Sequence, residues 1–186
     1  MEKTDIAKLK RQLKTLLMRE AFKKGNFVLS SGKTSSYYLD GRIITLTPEG
    51  AYLVAHIILE LLAGKRIDAL GGPTIGADPI VGAVAAVSHL KGAPLKTFIV
   101  RKEAKGHGMQ KRIEGPALQA KSRVILVDDV ATTGKSLIEA KEALAAIGIE
   151  AKEAIVIVDR NEGASQNLKD AGITLTSIFN IEELAS

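Results

Sequence analysis

Val124-Ile-Leu-Val-Asp-Asp-Val-Ala-Thr-Thr-Gly-Lys-Ser136 is the stretch from which the fold of this chain can be read. Val124 to Val127 is a short β-branched run, the pattern of a parallel strand buried on both faces. Two adjacent carboxylates, Asp128 and Asp129, stand at its carboxyl end. Ala131 to Ser136 is small, hydroxyl-rich and carries Gly134. It leads into the helical spacing of Leu137, Ile138, Ala140, Ala143 and Leu144. In an open α/β sheet, ligands sit at the carboxyl ends of strands. A turn that opens a helix presents unpaired amides and the positive end of the helix dipole, which suits a phosphate. Acceptors for hydroxyls or a hydrated cation therefore lie beside donors for an anion, a combination that fits a phosphorylated sugar.

Gly134-Lys135-Ser136 looks like the end of a nucleotide P-loop, but that motif needs a glycine five positions before Gly134. Asp129 stands there. A carboxylate cannot replace a glycine where the backbone wraps polyphosphate, so the P-loop is rejected. A buried strand ending in solvated acids would account for one carboxylate. It does not account for an acid pair, hydroxyls, glycine and helix start together.

Strand and helix patterns alternate on either side. Strands are expected at Ile67–Leu70, Leu95–Val100, Val124–Val127, Ala154–Val158 and Thr174–Phe179. Helices are expected near Ala77–Leu90, Lys135–Ile147 and Ala164–Ala171. Such alternation argues for an α/β fold, a doubly wound parallel-sheet core with helices on both faces. Thr47-Pro48 reads as a helix cap followed by proline at the first helical position, with Gly64 closing that helix. Ile6, Leu9, Leu13, Leu16 and Leu17 mark an amphipathic first helix. Phe27-Val28-Leu29 and Tyr37-Tyr38-Leu39 flank a Ser31-Gly32-Lys33 turn. The chain reads as a single domain, with residues 1–45 as a small N-terminal cap and 46–186 as the core.

The 186 residues suffice for a sizeable core, and 46% hydrophobic with 25% charged residues is an ordinary globular balance. Aromatics are only 4% with no Trp, so an aromatic platform for single-stranded nucleic acid is not favoured. The absence of Cys excludes disulfides, thiolate metal sites and a Cys nucleophile, and is compatible with a reduced cytoplasmic setting. No apolar stretch is long enough for a membrane span, and the charged start, Glu2 through Lys14, does not read as a secretory signal. The net charge of +5 is concentrated in two segments. Residues 1–25 hold eight Lys/Arg against three Asp/Glu, and residues 101–123 hold seven against two.

That second segment, Arg101-Lys-Glu-Ala-Lys-Gly-His-Gly-Met-Gln-Lys-Arg-Ile-Glu-Gly-Pro116, has glycines on both sides of His107. It reads as a mobile basic loop, 102–116, able to close over an anionic substrate and place charge on a leaving group. Lys105 and His107 are the donors nearest its tip. A basic surface loop that binds RNA has the same composition. Leu70-Gly-Gly-Pro-Thr-Ile-Gly-Ala-Asp78-Pro79 is a second glycine-rich strand-to-helix junction, either a tight packing turn or a second anion pocket. His56 and His89 fall in helical patterns, and no cluster has transition-metal ligand spacing.

On these motifs, together with Leu29-Ser-Ser-Gly-Lys-Thr-Ser-Ser-Tyr-Tyr38 and Asp159-Arg160, the sequence resembles the type I phosphoribosyltransferases over nearly its whole length. Within them the basic Lys105-Gly-His107 segment and the N-terminal Ser-Gly-Lys resemble the orotate branch. The resemblance implies transfer of phosphoribosyl from 5-phosphoribosyl 1-pyrophosphate (PRPP) to orotate, giving orotidine 5′-monophosphate and pyrophosphate in pyrimidine (UMP) biosynthesis. Magnesium is the implied cofactor, with no direct protein ligands assigned. Asp128 and Asp129 are implied to hold the ribose hydroxyls, with Val130 beside them. Ala131, Thr132, Thr133, Gly134, Lys135 and Ser136 would take the 5′-phosphate. Arg101, Lys102, Lys105 and His107 would meet the pyrophosphate, and Thr132 and Arg160 the orotate. Lys105, His107, Asp128 and Asp129 are the implied catalytic set. A cytoplasmic homodimer is implied, each basic loop completing the neighbouring subunit's site. Two positions depart from relatives that carry lysine there, Ser30 and the Ile75-Gly76-Ala77 stretch, and neither is given that role. A purine-type phosphoribosyltransferase and a non-catalytic nucleic-acid-binding regulator of the same fold are the alternatives.

Overall fold

The computed structural model describes residues 5–28, 34–103 and 112–185. Asp5 opens the first helix by accepting from the amides of Ala7 and Lys8, which would otherwise be unpaired. This helix, α1 (Ile6–Leu16), buries Leu9, Leu13 and Leu16 along one stripe and continues as one π-helical turn, Leu17–Ala21. The chain then enters an antiparallel pair, β1 (Phe22–Val28) and β2 (Thr34–Leu39), with Phe22 opposite Leu39. The expected turn residues 31–33 between them, and Leu29 and Ser30, lie outside the described residues. A short helix α2 (Arg42–Thr45) precedes α3 (Pro48–Leu61). Thr47 caps α3 as its sequence indicates: Gly50 N donates to its hydroxyl at 3.1 Å, and Pro48 fills the position whose amide has no partner.

The remaining elements alternate. They are β3 (Ala69–Pro73), α4 (Ala77–Leu90), β4 (Lys96–Val100), β5 (Ile113–Glu114), β6 (Val124–Ala131), α5 (Lys135–Ala145), β7 (Glu153–Asp159), α6 (Ala164–Asp170), β8 (Thr174–Asn180) and α7 (Ile181–Ala185). Among the described residues they form one sheet in the order β5-β4-β3-β6-β7-β8, parallel except for β5, which runs antiparallel to β4.

Alternation along the strands sends side chains into two cores. Leu70, Ile125, Val127, Ile155 and Ile157 pack with α1, α3 and α4 on one face. Ala69, Leu126, Ala154 and Val156 pack with Leu137 and Leu144 of α5 and Leu168 of α6 on the other. The doubly wound parallel architecture is therefore observed. Because β3 lies between β4 and β6, successive connections leave it on opposite sides. That reversal opens a crevice at the carboxyl ends of β3 and β6, where α/β folds bind ligands.

Three boundaries differ from the sequence reading. The strand expected at Ile67–Leu70 runs instead from Ala69 through both glycines to Pro73. Glycine disfavours strands, but a Cβ on Gly72 would lie 1.8 Å from the Val127 carbonyl oxygen, so the neighbouring strand admits nothing larger. The central strand continues past Val127 to Ala131, pairing Val130 with Val158 and Ala131 with Asp159. Ala131 thus ends a strand rather than starting a turn. Finally, Ile113 and Glu114, read as part of the basic loop, pair with Val100 and Ile99. Such a two-residue pairing is too short to give a periodic signal.

Candidate active site

Asp128 and Asp129 stand toward the carboxyl end of β6; Asp129 lines the crevice, and Asp128 is buried beside it. Asp128 is only 7% exposed; it accepts from the Ser136 hydroxyl at 2.9 Å and from Asp129 N at 3.0 Å. Burial pushes its carboxyl up to about 8, and the adjacent Asp129 charge pushes the same way. Asp129 is raised too, mainly by burial, although Val130 N donates to it at 2.8 Å and the Arg42 cation draws it down. The two acids are therefore short of positive charge.

Glycines let the backbone close around them. A Cβ on Gly76 would lie 2.2 Å from Asp128 Oδ1 and 2.5 Å from Asp129 Oδ1, and one on Gly41 would lie 2.8 Å from Asp129 Cβ. The loop after β3 and the turn after β2 thus press against the acid pair from two sides. The Thr74–Ile75 peptide in the first of these loops is cis.

A cleft of about 420 Å³ opens beside Asp129. Thr132, Lys102 and Arg160 line it, as do Ile75 and Gly76 of the β3 loop. So do Tyr38, part of the N-terminal motif already quoted, and Asp40 and Arg42, two site residues that the sequence did not single out. Arg42 donates from Nε and Nη2 to both oxygens of Asp40 at 2.9 Å, and this pairing holds the Asp40 carboxyl below its usual range. Asp40-Gly41-Arg42 reads locally as an ordinary turn, and only the packing of Gly41 on Asp129 reveals it.

After β6 the amides of Thr132, Thr133 and Gly134 meet no acceptor among the described residues. The first turn of α5 follows directly, so its dipole adds to theirs. Asn167 steadies this turn by donating to the Thr133 carbonyl at 2.9 Å. Lys135 points outward, with its ammonium 3.7 Å from Glu139, and Ser136 is spent on Asp128.

The structure does not bring every anticipated residue into the one cleft. Arg101 lines a neighbouring hollow of about 650 Å³ with Thr74, Asp78 and Glu103, its Nη1 3.8 Å from Glu114. Lys102 lines both hollows. Lys105 and His107 lie outside the described residues. A larger hollow, about 670 Å³, sits at the amino ends of the strands. There, however, Lys65 pairs with Glu153 and Lys152 with Glu150, so these carboxylates are exposed and matched by lysines rather than buried and short of charge.

The arrangement provides oxygen acceptors for neighbouring hydroxyls, open amides for an anion in the turn that follows them, and the cations of Lys102 and Arg160 along the cleft. Comparison with known proteins agrees. The family model described as phosphoribosyl transferase domain matches residues 43–184. An orotate phosphoribosyltransferase of a Nostoc species is 43% identical over 97% of this chain and 87% of its own length. The crystal structure of the Mycobacterium tuberculosis orotate phosphoribosyltransferase with Fe(III) dicitrate superposes with a TM-score of 0.83 at 35% identity, covering 96% of this chain and 99% of that one. The same enzyme in complex with PRPP gives 0.79 at 31% identity, with the same coverage.

Proposed function

This chain belongs to the phosphoribosyltransferase family, and from that premise we propose that it transfers the phosphoribosyl group of PRPP to orotate, a step of pyrimidine biosynthesis. The observation that carries this reading is the convergence of Asp129, Thr132, Lys102 and Arg160 on one cleft at the strand-order reversal. The reaction breaks the bond between the anomeric carbon and a pyrophosphate oxygen and forms one to a ring nitrogen of orotate. Positive charge develops on the sugar and negative charge on the departing pyrophosphate.

In this reading Asp128 and Asp129 accept from the ribose hydroxyls, with Asp129 nearer the open cleft. The amides from Thr132 to Ser136 take the 5′-phosphate. Arg101, Lys102, Lys105 and His107 receive the pyrophosphate, and Thr132 and Arg160 face the base. No group need act as a covalent nucleophile: the protein holds the sugar, supplies cations and keeps water from the reacting carbon. The basic segment is assigned to a neighbouring subunit's site in a cytoplasmic homodimer. No helix among the described residues is long and apolar enough to cross a membrane.

Magnesium fits the residues present. Two buried carboxylates with raised affinity for protons lack compensating charge, which a cation or hydroxyl donors would supply. Among the described residues no three His, Cys, Asp or Glu converge, so the ion would rest mainly on substrate oxygens and water, within reach of Asp128 and Asp129. When bound, it neutralises charge on the pyrophosphate. Mixing the protein with orotate, PRPP and magnesium while following orotate absorbance tests the proposal. Consumption of orotate that requires PRPP is expected, and no turnover would overturn it.

A further inference from the structure

Arg160 enters the cleft from the end of β7, and its guanidinium is held in place from one side. The residue is 8% exposed. Its Nε donates to Glu162 Oε1 at 2.9 Å and to the Tyr37 hydroxyl at 3.3 Å, while the guanidinium carbon lies 4.9 Å from the Tyr37 ring centroid. The Tyr37 hydroxyl also donates to Glu162 Oε1, at 3.4 Å. Tyr37 in turn stacks on Phe22, centroids 5.6 Å apart, so the N-terminal hairpin fixes the ring. By contrast, Arg160 Nη2 is buried and finds no acceptor among the described residues. A buried donor left unpaired is costly unless something completes it.

We propose that Glu162 is a positioning residue for the pyrimidine. With the Tyr37 ring as a platform, it grips Arg160 at Nε and leaves the terminal nitrogens for the carboxylate or carbonyl oxygens of the bound base. The inference rests on the assignment of Arg160 to the base. Two effects of Glu162 oppose each other, since its charge repels an anionic base while its oxygen immobilises the arginine. The repulsion is weakened because the Glu162 side chain is 37% exposed and water screens it. The immobilisation is felt in full, because a free arginine must give up its rotamer freedom each time substrate binds.

Glu162→Ala and Glu162→Gln separate the two effects, because glutamine keeps an acceptor for Nε without the charge. The alanine variant is expected to raise the KM for orotate by about tenfold, with kcat and the KM for PRPP within about twofold of the parent protein. Glutamine should restore the KM for orotate to within about threefold. An unchanged orotate KM in the alanine variant would overturn the proposal. So would an equal rise in both KM values, which marks a general structural defect, or a glutamine variant as impaired as alanine. Parent protein that turns over orotate while the variants behave alike refutes this inference alone. Parent protein without turnover refutes it together with the assigned reaction.

Discussion

Asp128 keeps its carboxylate almost entirely out of water, and the fold tolerates this because Ser136 and the Asp129 amide donate to it. Its carboxyl in the folded chain titrates near 8, against 3.8 for the free group. Below about pH 4 the proton is bound in both states and the group costs nothing. As pH rises the unfolded chain releases that proton first, so stability is lost progressively until the folded carboxyl has ionised as well. The free protein should therefore lose stability between about pH 4 and about pH 8. Asp128→Asn should flatten this decline, by an amount on the order of 1–3 kcal/mol at high pH, while abolishing turnover. Thermal melts of both proteins at about pH 6 and about pH 9 test it, and equal declines would contradict the placement. The acid pair was legible in the sequence because two adjacent carboxylates at a strand end have few other uses. Asp40 and Arg42 were not, because each looks like an ordinary turn residue until a distant segment folds onto it.

At the scale of elements, helices α4 and α5 and strand β6 begin where the sequence places them, since glycine boundaries and apolar spacing act locally. Strand β3 was shifted because its two glycines answer to neighbouring strands, and that requirement is invisible from the strand itself. The same contrast predicts what substitution does. Gly82 lies exposed inside α4, and a Cβ there would meet nothing within 4 Å. Gly82→Ala should therefore stabilise the protein by about 0.5–1 kcal/mol, by reducing the freedom of the unfolded chain, with activity unchanged. Gly76→Ala, in the loop just before the same helix, should instead displace the acid pair and remove turnover. Urea unfolding together with the orotate assay checks both, and a destabilised Gly82→Ala protein would refute the helix argument.

At the scale of the whole molecule, the parallel order of the sheet and its two cores followed from the alternation of patterns, but subunit organisation does not. If each basic segment serves a neighbouring site, Lys105→Ala and Asp129→Asn proteins, each inactive alone, complement each other. Random reassortment places one intact site in each mixed dimer, so about a quarter of parental activity should return on mixing under dissociating and reassociating conditions. No recovery would show that each segment serves its own chain. The pairing of Ile113 and Glu114 with β4 matters here for a separate reason. Those two residues pair with Ile99 and Val100 at the carboxyl end of β4, which would otherwise be an open rim of the sheet there. The cationic segment is thus anchored by a cover against self-association. Excising it to study the uncovered pocket would leave a sticky border on which copies of the chain could zip together into aggregates.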